Sequence, residues 1–79
     1  MARKTIRKII ESVIEEHGGE VAKKAVMFHL DHTLRVSPDD ALKKPEEFVE
    51  ALKSIYGSFE SFIEAEICER IAKEYGINY

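Results

Sequence analysis

Hydrophobic residues in the first third of the chain recur with the period of a helix. Ile6, Ile9, Ile10, Val13 and Ile14 stand at i, i+3, i+4, i+7 and i+8, a single apolar stripe. Thr5 is placed to cap this helix, because its hydroxyl can accept from an otherwise unpaired backbone N–H. Gly18-Gly19 ends it, since glycine takes left-handed angles at little steric cost. The segment from about residue 20 to 34 reads differently. Val21, Ala22, Ala25, Val26, Met27, Phe28, Leu30 and Leu34 spread round most of a helical wheel, leaving only a strip with Lys24, Asp31 and Arg35 wet. A helix apolar on nearly every side needs cover on several sides. This second helix is therefore expected at the centre of the domain, or with one face against a second subunit.

Ser37-Pro38-Asp39-Asp40 is a helix start: a capping serine, a proline suited to the first position, and acids at the positive end of the dipole. The helix is short, because Pro45 biases Lys44 away from helical angles. Pro45 opens the next helix, with Phe48, Val49, Leu52, Ile55 and Tyr56 on one face and Gly57 as its stop. Ser58 is placed to cap a last helix that runs to about Tyr75 and closes at Gly76, with Ile77 folding back after it. Phe59, Phe62 and Ile63 face one way on this helix, and Ile67, Cys68, Ile71, Ala72 and Tyr75 another. Glu66 and Glu69 have partners at helical spacing in Arg70 and Lys73. No segment is left for a strand. The expected fold is all-α: one domain over residues 1–79, a compact bundle of about five helices, the third short and the second central and largely apolar.

Length and charge narrow the function. At 79 residues the chain is too short for a barrel, a doubly wound sheet or a two-domain cleft. The single Cys68 has no internal disulfide partner, which fits a reducing cytoplasm. No apolar run approaches the roughly 18–20 residues of a membrane helix, so no membrane role is expected. Residues 1–36 hold seven Lys or Arg against five acids, and residues 37–79 five against ten, which gives the net −3. The one basic cluster is Arg3, Lys4, Arg7 and Lys8, and candidate recognition helices carry glutamates that phosphate would repel. Nucleic acid is disfavoured as a partner. Glu outnumbers Asp twelve to three and Gln is absent, a composition that suits a thermophile.

Ser37-Pro38-Asp39-Asp40-Ala41-Leu42, Pro45-Glu46, Phe48, Leu52, Ile55-Tyr56-Gly57 and the final amphipathic helix together resemble small archaeal all-helical domains of the Nitrosopumilus-type output family. The resemblance covers roughly residues 10–77 and rests on caps, prolines and core positions. It implies a helical architecture, an archaeal cytoplasm and a regulatory or interaction role. No catalytic residue is among the matching positions.

Candidate chemistry is sparse. His29 and His32, at i and i+3, share a helix face and could reach one ligand or metal, with Glu64 of the last helix as the third donor. The simpler reading makes them histidines at the core edge, bonded to Glu64 or to carbonyls. His17 stands at the negative end of the first helix. Glu64 lies toward the apolar side of its helix, so it either finds a buried donor, lines a cavity or reaches back to solvent. Cys68 reads as a small, buried and inert thiol. Phosphate-loop, zinc-finger and nucleophile-elbow spacings are missing from the sequence. The acid pairs Asp39-Asp40 and Glu46-Glu47 are explained by the helix dipole.

The reading is a non-enzymatic module that works through protein–protein contacts, as a homodimer or with another protein, without a cofactor. Small chains often supplement a limited core with an oligomer interface. Met27, Phe28, Leu30 and Leu34 of the second helix and Phe59 and Phe62 of the last are the expected interface residues. The alternative is a small-ligand or metal-binding protein with a pocket between these helices, using His29, His32 and Glu64.

Overall fold

The computed structural model describes residues 5–76. Their regular structure is all helical: α1 spans Ile6–Phe28, α2 Pro45–Tyr56 and α3 Glu60–Tyr75. A π-helical turn at His29–Thr33 and single 3-10 turns at Pro38–Asp40 and Gly57–Phe59 join them. The expectation of about five helices is wrong. Two long helices, α1 of 23 residues and α3 of 16, dominate, with the 12-residue α2 between them.

Two local effects account for the difference. The first two expected helices form one run that bends at Gly19, whose φ of 84° and ψ of 178° are non-helical. A straight helix of that length would measure about 34 Å, yet the longest dimension of the fold is 31 Å. A Cβ on Gly18 would lie 2.6 Å from the Ala22 Cβ, so the corner closes only because residue 18 lacks one. Lys23 Nζ reaches Glu15 Oε1 across the bend at 3.7 Å. The expected third helix is a single turn. Ser37 caps it, accepting from the Asp39 N–H at 3.3 Å, and Pro38 follows. The Asp40 carbonyl then accepts from both Lys43 and Lys44, and Lys44, at φ −131° and ψ 64°, leaves the helix before Pro45.

Thr5 caps α1 as expected, accepting from the Lys8 N–H at 3.2 Å. Ser58 does not cap α3: the helix starts from Phe59 with no side-chain cap bond. α2 stops at Gly57, whose φ of 60° and ψ of −130° turn the chain in a way that suits glycine. α3 closes at left-handed Gly76, which donates to the Ala72 carbonyl. Ile77, Arg3 and Lys4 lie outside the described residues.

The run that continues from α1 ends through an arginine. Leu34 N–H donates to the His29 carbonyl at 2.9 Å and Val36 N–H to the Leu30 carbonyl at 2.8 Å, around Arg35 at φ 54°. The closing bond spans one residue more than the Schellman 6→1 bond, as the wider π turn requires, and it turns about a left-handed residue where glycine is usual.

The core is built from four faces. Ile9, Ile10, Val13 and Ile14 come from the first arm of α1, and Val26, Met27 and Leu30 from the second arm and the π turn. Phe48, Ala51 and Leu52 come from α2, and Ile63, Ile67 and Ile71 from α3. The second arm is not central. Val21 is 84% and Phe28 63% exposed, because a fold with so few helices covers only one stripe of that arm.

Candidate functional site

Four aromatic rings gather where α2 turns into α3 beside the α1 corner. Phe59 and Phe62 stack with centroids 5.1 Å apart and planes inclined by 25°. His17 meets Phe62 edge-on at 5.1 Å and Phe59 at 6.4 Å, while Tyr56 lies 6.3 Å from Phe59. Both phenylalanines remain 47% exposed. The reason lies in helical register: the buried stripe of α3 is Glu60, Ile63, Ile67 and Ile71, which turns Phe59 and Phe62 onto its flank. Burial pushes the Tyr56 phenol up from its ordinary range. His17, placed by the sequence only at a helix end, is a member of this cluster.

The six expected interface residues do not form one surface. Phe59 and Phe62 meet. Phe28 instead packs on His32, with ring centroids 4.5 Å apart. Met27 and Leu30 are core residues, 7% and 0% exposed, and are removed from the interface by their burial. Leu34 is half-buried and packs against the core. Helical wheels rank apolar content, and tertiary packing decides which apolar side turns inward.

His32 and Glu64 have neighbours other than the expected trio. His32 lines a cavity of about 370 Å³ with Asp31, Arg35 and Ser37. Glu64 neighbours Glu60 instead. Among the described residues no group of three or more His, Cys, Asp or Glu is placed to hold a metal ion. Cys68 is half-buried.

The buried carboxyl of α3 is Glu60, one turn before Glu64. Glu60 is only 4% exposed, and its Oε2 is buried without a hydrogen-bond partner. Burial first, then the adjacent Glu64, raise its pKa above the ordinary glutamate range, against an opposing pull from Lys53. The sequence held the signal, because residue 60 shares the register of Ile63, Ile67 and Ile71.

A second set of residues escaped the sequence reading. Arg7 Nη1 and Nη2 donate to Asp31 Oδ2 and Oδ1, each at 3.0 Å, and Nε donates to Asp39 Oδ2 at 3.1 Å. These bonds raise the Arg7 pKa and hold the Asp31 carboxyl below the usual aspartate range, against the opposite effect of burial. Arg70 similarly grips Glu16 of α1 with both terminal nitrogens, one bond at 2.8 Å, besides the expected pairing with Glu66 at 3.5 Å. Lys73 meets Glu69 at 3.2 Å as expected. Within the basic cluster, Arg7 is thus spent on internal structure and Lys8 faces Glu11 at 3.7 Å.

Comparison with known proteins finds no matching family, no similar curated protein and no similar solved structure. No helix of the described residues is long and apolar enough to cross a membrane.

Proposed function

We propose that this chain is a small non-enzymatic interaction module that pairs with a second copy of itself through the Phe59–Phe62–His17 cluster. One observation carries the reading: two stacked phenylalanines stand about half exposed at a helix junction. Covering the exposed part of each ring removes on the order of 100 Å² of apolar surface, or about 2–3 kcal/mol per ring. A two-fold dimer uses the same patch on both copies, so the two ring stacks meet about the axis. A stable interface needs about 1,000 Å² in total, which extends the contact beyond the rings to Tyr56 and the polar positions around them. A regulatory role fits the resemblance to archaeal output domains, and a cytoplasmic setting fits the lone Cys68.

Native mass spectrometry and sedimentation over a range of concentrations test the reading. The wild-type chain is expected to form a dimer, and Phe62→Glu a folded monomer with unchanged far-UV dichroism, since Phe62 lies outside the core. A wild-type monomer at every concentration, or a Phe62→Glu chain as dimeric as the parent, would overturn it.

A further inference from the structure

A groove of about 660 Å³ runs between residues 34–36 and the outer side of α2, away from the residues of the aromatic cluster. Its lining includes Leu34, Val36 and Ala51 as an apolar floor, with Glu46, Glu47 and Glu50 along one side. Ser54 and Arg35 complete it. From Glu46 to Ser54 the wall follows two turns of helix, about 12 Å, which accommodates roughly four residues of extended peptide.

Charge identifies the occupant. Asp31, Asp39, Glu11, Glu15, Glu20, Glu66 and Glu69 each meet a cation within the chain. Glu46 and Glu47 have no ion pair among the described residues, and Glu50 has only Lys53 at 4.0 Å. Three glutamates against one arginine leave the groove at a net −2. The helix dipole stabilises Glu46 and Glu47 in the first turn of α2, but it does not neutralise the wall for an approaching ligand. An apolar floor beside a wall of net negative charge is complementary to side chains that alternate between aliphatic and cationic.

We infer that this groove docks a basic, aliphatic peptide segment of another protein, its apolar side chains on Leu34, Val36 and Ala51 and its lysines or arginines against Glu46, Glu47 and Glu50. The site is independent of the dimer surface, and its test separates the two.

The probe is a fluorescent synthetic peptide of alternating lysine and leucine, titrated by anisotropy into the full chain, beside a counterpart of alternating glutamate and leucine. The lysine peptide is expected to bind, more weakly as salt rises, and the glutamate peptide is not. The combined variant Glu46→Gln, Glu47→Gln, Glu50→Gln should weaken binding roughly tenfold, as three exposed charge pairs would. Ser54→Trp, at an exposed position on the wall, should block the groove. A control replacing Glu20 and Glu69 by Gln, and the Phe62→Glu variant, should bind like the parent. The inference is overturned if the lysine peptide does not bind, or if the glutamate peptide binds equally. It also fails if the Glu20/Glu69 control weakens binding as much as the groove variant. A shift to lower mass on Ser54→Trp would assign the groove to a second copy of the chain and likewise overturn it.

Discussion

Arg7 holds Asp31 through two parallel N–H···O bonds of 3.0 Å across 24 positions of sequence. The remaining nitrogen takes Asp39 at 3.1 Å, so one guanidinium fastens the first turn of α1 to the π turn and to the turn at Pro38–Asp40. The planar fork of arginine suits this geometry, and lysine has no equivalent.

Replacing Arg7 by Met is expected to cost about 1–3 kcal/mol at neutral pH, because it leaves half-buried Asp31 without its donors. The pH dependence has a definite sign. Asp31 is held below its ordinary range when folded, so its contribution is complete above the unfolded aspartate pKa and is lost as pH falls through the lower, folded value. Urea denaturation across acidic pH should show this loss in the parent and a flatter curve in Arg7→Met. Arg7→Lys should recover only part of the difference.

Glu60 works in the opposite direction. Its folded pKa is raised, so its stabilising contribution is full below the unfolded glutamate pKa and declines as pH rises through the folded value. Glu60→Gln keeps the volume and supplies donors toward Glu64. The variant should match the parent in mild acid and exceed it by about 1–2 kcal/mol at alkaline pH. Denaturation midpoints that stay parallel across pH would remove Glu60 from this role.

The α1 corner depends on the missing Cβ at residue 18. Gly18→Ala should destabilise by about 1–3 kcal/mol, through overlap with the Ala22 Cβ. Adding Ala22→Gly removes the overlap and should restore part of the loss, despite the helix cost of the new glycine. A double-mutant cycle measures that coupling; additive effects would show that the two residues do not meet.

Arg35 occupies the left-handed position that closes the run after the π turn. Arg35→Gly relieves the Cβ strain but adds freedom to the unfolded chain, so a net gain of about 0.5–1 kcal/mol is expected. Thermal and urea unfolding read the sign directly. A loss would mean that the arginine side chain, which lines both neighbouring cavities, contributes more than its backbone costs.

The chain sequence by itself determined the helical class, the core stripe of the first arm, the caps at Thr5 and Ser37, the stops at Gly57 and Gly76, and the Glu66–Arg70 and Glu69–Lys73 pairs. All of these are set within a few residues, by periodicity, steric freedom or a hydroxyl one turn from its donor. Helix number and inward direction were not local. Whether Gly18-Gly19 separates two helices or bends one depends on Ala22 closing against Gly18 and on what the second arm packs against. Tertiary packing selected Met27 and Leu30 for the core over Phe28, and Glu60 over Glu64, because a wheel gives relative angles and not the direction of the neighbouring helix. The Arg7–Asp31 and Arg70–Glu16 clamps, and the gathering of His17 with Phe59 and Phe62, join positions far apart in the chain. Only the folded structure brings such side chains within the few ångströms over which hydrogen bonds and ring contacts act.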